Sequence, residues 1–302
     1  MLDRIFGSKE MTEEELQQAR AAKWQLDGPP VRSLDGARSF FESVGFCLMY
    51  PTRPSVLVPT FIGAWVGEDD HLPLQQHAYA DARAKEAMDL MVRALRAKAV
   101  FEAPLVDENN PFLISPSAFP FFYALVGERN PKLAPKAGPR SEYSELACDA
   151  FQIIRKHGPI SKQKLGETLG KGLSSAGLDR ALGELWAKLR ITRVDFSEDE
   201  GSVWDELTRW APDKVWEGIS ASLPQSLSAL LSKYMDCVVA AEPEEVENFF
   251  SIFVARSKVR DAIKALLAAR ELSYLHSGNK TLLQIAPRRE PFVLRPRAER
   301  AR

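Results

Sequence analysis

The chain has 302 residues, of which 45% are hydrophobic and 27% are charged, a composition typical of an ordinary globular protein. Its length predicts about two to three domains. The formal net charge of −1 excludes a global attraction to nucleic acid, so any such binding requires a local basic patch.

The N-terminus, M-L-D-R-I-F-G-S-K-E, lacks the basic region and the long apolar core of a signal peptide. The most apolar run, residues 55–67, is too short to cross a bilayer, and Pro59 interrupts it. These patterns predict a cytoplasmic protein without a membrane segment. The three cysteines are widely separated among apolar residues, which indicates reduced thiols. No cysteine and histidine have metal-ligand spacing, so neither a metal nor a cofactor is expected.

Residues 1–130 predict a helical, winged-helix-like domain. Thr12 and Glu15 form a capping-box pattern that starts the first helix. The remaining predicted elements, in chain order, are helices over 33–44, 59–66 and 78–98, a buried extended segment at 46–51, and short strands at 100–101 and 112–114. The helix over 78–98 is expected to be the longest of the chain. A stretch rich in Pro, Lys and Gly, residues 130–139, is typical of a linker.

Residues 140–212 predict a winged helix-turn-helix. A first helix ends at Gly158-Pro159, Ser161 caps a short second helix, and Ser174 or Ser175 caps a third. The third helix has a leucine-rich apolar stripe, and two β-rich runs around an acidic, glycine-containing turn follow it as a hairpin. Any small three-helix bundle followed by an unrelated hairpin remains an alternative.

Residues 213–287 repeat this order, and the whole chain is therefore predicted to be mostly α with small β-hairpins (α+β), built from tandem winged helix-turn-helix domains. Helices are expected over 224–240, from Pro243, and after a cap at Ser257, followed by a hairpin that turns at 277–279. Corresponding third helices lie 82 residues apart, which is typical of tandem domains.

The third helix of a helix-turn-helix enters the major groove, so its exposed residues are candidates for DNA contact. In residues 140–212 this helix carries a mixed set that includes Arg180, and the wing tip is acidic, which favours packing over DNA binding. In residues 213–287 the candidates are basic: Lys258, Arg260, Lys264 and, at the wing tip, Lys280. A basic tail, residues 288–302, adds six arginines beginning with Arg288 and Arg289. The tail is either a phosphate-binding segment or a solubilising one.

No common enzyme motif supports a hydrolase, a P-loop NTPase or a dehydrogenase. Several phrases are instead similar to those of the AlkZ/YcaQ-type winged-helix DNA glycosylases. They span residues 30–51, 112–124, 157–166 and 178–192, and the resemblance extends over about residues 31–285. It implies tandem winged helices, a β-rich C-terminal domain and excision of crosslinked bases. It also implies a catalytic Gln-x-Asp or Gln-x-Gln motif after a Leu-Gly that follows an early helix.

The corresponding place in this chain follows Val44-Gly45, where Leu48 and Tyr50 occupy the two motif positions. Leucine cannot orient or deprotonate water, and tyrosine, with an ordinary pKa of about 10, is a poor base at neutral pH. The phrase Gln25-Leu26-Asp27 spells the motif but lies one helix too early, and we interpret it as coincidental.

Three hypotheses follow. The first is a non-catalytic protein that binds duplex DNA in connection with DNA repair. The second is a divergent glycosylase acting on alkylated or crosslinked DNA. The third is a winged-helix protein-interaction module that does not contact DNA. The first hypothesis predicts duplex binding that weakens with salt, the second predicts formation of abasic sites, and the third predicts recovery of a protein partner instead.

Overall fold

The computed structural model describes residues 11–107, 109–170 and 172–287. Over these residues the chain forms helices and three antiparallel three-stranded sheets, which confirms the predicted mostly α class with small hairpins. In each sheet, the strand that is third in sequence lies between the other two. No helix of the described part is long and apolar enough to cross a membrane.

The first module follows α1 (Glu13–Lys23) and precedes α5 (Phe119–Val126). Its elements are α2 (Leu34–Val44), β1 (Phe46–Leu48), α3 (Phe61–Val66), a 3-10 helix (Gln75–Ala80), α4 (Ala82–Arg96), β2 (Phe101–Ala103) and β3 (Phe112–Ile114). The helix expected over 78–98 starts only at Ala82, because Asp81 accepts the N–H groups of Arg83 and Ala84 and so caps it. It was also expected to be the longest, which is wrong, since it has 15 residues and the helix 223–238 has 16.

The second module consists of α6 (Glu145–His157), β4 (Ile160–Ser161), α7 (Lys162–Leu169), α8 (Ser175–Ala187), β5 (Ile191–Ser197) and β6 (Gly201–Glu206). At the start of each of its helices a serine hydroxyl accepts the backbone N–H of the residue three positions ahead; these caps are Ser144, Ser161 and Ser174. Two short helices, α9 (Leu207–Trp210) and α10 (Pro212–Ser220), connect it to the third module.

The third module consists of α11 (Leu223–Val238), β7 (Ala240–Ala241), α12 (Pro243–Phe250), α13 (Arg256–Ala268), β8 (Leu272–Ser277) and β9 (Lys280–Ile285). Ser257 was expected to cap α13, but the helix begins two residues earlier than that cap predicts, at Arg256, and its N-cap is Ala255, which offers no side-chain oxygen. The hairpin turns at Gly278-Asn279, and Gly278 supplies the positive φ of 55° that this two-residue turn requires.

Each module thus places a short strand after its first helix and pairs that strand with a hairpin that follows two further helices. The described residues contain this element order and strand pairing three times, and the first module adds a 3-10 helix between α3 and α4.

The first and third modules share one hydrophobic core. Its centre is a cluster of aromatic rings. The ring centroid of Phe249 in α12 lies 5.8 Å from that of Phe46 in β1 and 5.0 Å from that of Tyr234 in α11. The second module has a separate core around Phe151 and Leu182. The modules therefore differ in how they are held to the rest of the chain.

The second module meets the first through charged groups. Arg193 of β5 donates to the Glu102 carboxylate on β2 at 2.6 Å, and this carboxylate is almost completely buried. A more exposed pair joins Arg96 of α4 to Asp195 of β5 at 2.6 Å. Ion pairs thus join the second module to the first, and Leu189, which follows α8, adds one buried apolar residue to the core that the first and third modules share.

Candidate nucleic-acid interface

Leu48 and Tyr50, the two residues that the sequence predicts to correspond to the catalytic motif of the resembling family, lie in the protein interior. Leu48 ends β1, is 1% exposed, and donates its backbone N–H to the Pro59 carbonyl oxygen at 3.0 Å. Tyr50 is 2% exposed. The side-chain amide of Asn110 holds its backbone through two hydrogen bonds of 3.1 and 2.7 Å. Both side chains therefore pack as core residues.

The side-chain chemistry of Leu48 and Tyr50 is that of core residues. Burial raises the pKa of Tyr50 to about 12, although the nearby Arg193 guanidinium acts in the opposite direction. A general base works best with a pKa near the working pH, so the raised value moves this phenol further from that role. Leu48 has no polar atom in its side chain. Neither residue can activate water.

A cleft of about 250 Å³ lies beside Leu48. Its polar lining includes Thr52, Thr60, Asp69 and Glu245, and the lining residues that the structure describes contain no cation. Partial burial, reinforced by the Asp70 carboxylate, raises the pKa of Asp69. Sequence reasoning missed Asp69 and Glu245, because one lies in the loop after α3 and the other in the third module.

The exposed face of α8 carries compensated charges. Arg180 extends into solvent and lies 3.6 Å from the Glu184 carboxylate. Asp179 pairs with Lys162 at 2.6 Å. Glu184 also accepts the backbone N–H of Ser144. With the acidic wing tip at 198–200, the described residues of this face offer no excess of positive charge for phosphate.

The exposed face of α13 is more basic, but ion pairs occupy part of it. Arg260 donates to Glu247 at 2.9 Å, and Lys280 at the wing tip lies 2.8 Å from Glu242. Lys258 and Lys264 are exposed, and neither forms an ion pair within the described residues. Of these four sequence candidates, two are therefore available and two are held by glutamates of α12 or its N-cap.

The glutamate at the centre of this face holds two arginines. Glu247 accepts hydrogen bonds from Arg256 at 2.7 Å and from Arg260 at 2.9 Å. Burial acts to raise the pKa of Glu247 and the two hydrogen bonds act to lower it, with a net shift below the ordinary value. A phosphate group would have to compete with this carboxylate for both guanidinium groups.

Arg288 and Arg289, together with the rest of the predicted basic tail over 288–302, lie outside the described residues. Their contribution to binding stays a prediction. The described part of the interface is therefore α13 and its wing.

Comparison with known proteins gives two findings. The sequence model of the family described as DNA glycosylase AlkZ-like matches residues 70–302, a range that begins after Leu48 and Tyr50. Among solved structures, the Streptomyces sahachiroi DNA glycosylase AlkZ has a similar fold, with a TM-score of 0.56 and 11% sequence identity. The match covers 91% of this chain and 70% of that one. No curated protein matches the sequence.

Proposed function

Since the chain belongs to the AlkZ-like DNA glycosylase family, we propose that it binds duplex DNA, in a role linked to repair, without hydrolysing glycosidic bonds. The observation that supports the second half of this proposal is the burial of Leu48 and Tyr50, which we expect to occupy the two motif positions. Glycosidic hydrolysis needs a group that positions or deprotonates water, and these side chains supply none at that place.

We assign DNA contact to the third module, residues 213–287. Its third helix, α13, is the element that enters the major groove in helix-turn-helix proteins, and it carries Lys258 and Lys264, which form no ion pair within the described residues. Arg256 and Arg260 form a second group of cations, which phosphate reaches only by displacing Glu247. Contacts of this kind neutralise phosphates and are independent of base sequence.

The test is a salt series of duplex binding, measured by fluorescence anisotropy, for the wild type and for Lys258→Ala/Lys264→Ala. Removing one cation that neutralises a phosphate lowers the slope of log K against log salt by about 0.9, so the double variant should show a decrease of about 1.8. A matched control is Lys85→Ala/Lys164→Ala, which removes two exposed lysines of α4 and α7 that have no ion pair in the described residues.

Equal slopes for the α13 variant and its control would reject α13 as the contact surface. Duplex binding that is absent at all salt concentrations would reject DNA as the partner and would favour a protein-interaction module.

One observation favours a second candidate, a divergent glycosylase. The Asp69 carboxylate lines the cleft beside Leu48 and has a raised pKa, as a general base requires. If Asp69 has this role, Asp69→Asn abolishes base release from alkylated duplex while duplex binding persists. If the first proposal holds, the wild type and Asp69→Asn release no base beyond the rate without protein.

A further inference from the structure

Residues 129–140, R-N-P-K-L-A-P-K-A-G-P-R, contain four cations and no acidic residue. The sequence predicts a linker over 130–139, and we refer to residues 129–140 as the strap. In the structure the strap passes from the first module to the second along the end of α6, and Pro131 and Pro135 are buried. It is therefore packed against the protein and not simply a tether.

A buried arginine holds the middle of the strap. Arg190 is 4% exposed, and its guanidinium donates to the backbone carbonyl oxygens of Asn130 and Leu133. The same guanidinium lies 4.8 Å from the ring centroid of Phe151, in the core of the second module. These contacts tie the strap backbone directly to that core.

A second arginine holds its start. The guanidinium of Arg129 donates to the carbonyl oxygen of Ala124 at 2.7 Å and to that of Ile219 at 3.2 Å. These oxygens belong to α5 and α10, so the strap is fixed to elements on both sides. Its conformation is set before any ligand arrives.

The strap directs three cationic side chains outward, together with the exposed Leu133. Lys132, Lys136 and Arg140 are exposed, and none forms an ion pair within the described residues. Arg155, near the end of α6, donates to the Lys132 carbonyl oxygen at 3.4 Å, but its guanidinium also lies 4.0 Å from the Glu206 carboxylate, so the uncompensated cations are those of the strap itself. This surface differs from that of α13, where glutamates occupy half of the candidate cations.

An exposed aromatic ring borders the same surface. Trp216 of α10 is 44% exposed, and the ammonium group of Lys132 lies 5.2 Å from its ring centroid. A cation over an indole keeps its charge while its aliphatic stem loses freedom, so the ring positions this lysine.

We infer that the strap is a second DNA contact surface, which binds backbone phosphates of the duplex through Lys132, Lys136 and Arg140. This inference rests on the proposed function, because it assigns a further part of the same DNA footprint. The cations are held by a rigid backbone, which lowers the entropy cost of binding, and no carboxylate of the strap competes with phosphate. Recognition of the backbone alone predicts no dependence on base sequence.

The experiment compares the full chain with Lys132→Ala/Lys136→Ala on a random duplex of about 30 base pairs, long enough to extend beyond one face of the protein. The expected result is a decrease of about 1.8 in the slope of log K against log salt, with an unchanged unfolding midpoint. Lys85→Ala/Lys164→Ala again serves as the control that removes two lysines elsewhere.

A second measurement uses the wild type alone. Lysine acetylation followed by mass spectrometry should show that duplex protects Lys132 and Lys136 but not Lys85. The inference would be overturned if the wild type binds duplex, the strap variant has the same salt slope, and duplex does not protect Lys132 and Lys136 from acetylation. The α13 proposal would then still stand. Absence of all duplex binding by the wild type would overturn both.

Discussion

The second and third modules share one element order, yet they differ in their cores and in their exposed third helices. Most buried side chains of the second module form a cluster of their own, and its contacts with the first module include ion pairs such as Glu102–Arg193. The third module instead shares an aromatic core with the first. Their third helices differ as well, since α8 carries compensated charges and α13 carries two unpaired lysines within the described part.

This difference shows that a repeated fold does not imply a repeated role. An apolar contact fixes the third module to the first, and a rigid platform favours a binding surface that must hold its geometry. The second module contributes little positive charge on α8, but it anchors the strap through Arg190. The proposed DNA contacts therefore come from α13 in one module and from the edge of the other.

The largest loss of stability is expected from a substitution in the core that the first and third modules share. Phe249 is 4% exposed and lies within 6 Å of the rings of Phe46 and Tyr234. Phe249→Ala should lower the free energy of unfolding by about 3–5 kcal/mol, because it leaves a cavity between two modules. Urea unfolding measures this, and Phe196→Ala at a partly exposed ring is the control. A decrease of less than about 1 kcal/mol would indicate that the two modules do not depend on this ring.

A smaller effect is expected at the ionic interface. Glu102→Gln leaves the Arg193 charge without its carboxylate partner in a buried place and should cost about 3 kcal/mol in urea unfolding. Asp195→Asn removes the exposed pair with Arg96 at the same interface and should cost no more than about 1 kcal/mol. Equal costs for the two variants would contradict the view that the buried pair fixes the second module.

The smallest effect on stability concerns Glu247. Glu247→Gln should cost about 0.5–1 kcal/mol at neutral pH, because its arginine partners are largely exposed. Its folded pKa is depressed below 4.5, so this contribution is present above that pH and disappears as the pH falls through the folded pKa.

The Glu247→Gln variant also frees Arg256 and Arg260, so duplex binding should tighten and its salt slope should steepen by up to about 1.8. Weaker duplex binding would show that Glu247 positions the arginines instead of competing for them.

Much of the fold follows from local sequence. Ser161 and Ser174 cap helices through hydroxyls that reach the backbone three residues ahead, a relation visible in the sequence itself. The start of α13 could not be predicted from a cap, because Ala255 provides none. The exposed lysines of α13 were likewise predicted from helical spacing.

The ion pairs that hold Arg260 and Lys280 of the candidate site could not be predicted in this way. Arg260 and Glu247 are 13 residues apart, and Lys280 meets Glu242 only because the wing returns beside α12. Glu102 and Arg193 are 91 residues apart and belong to different modules. Such pairings depend on tertiary contacts that helical or strand periodicity does not contain.

The most direct test of the central claim measures whether the wild-type protein releases bases from an alkylated duplex. The protein is present in excess over the duplex, at a salt concentration where fluorescence anisotropy shows that all of the duplex is bound. Abasic sites are counted as alkali-induced strand breaks and compared with the same duplex without protein. Since Leu48 and Tyr50 are buried and cannot activate water, the expected result is saturated binding with no excess of abasic sites. Abasic sites that increase with protein and vanish in Asp69→Asn would contradict the account.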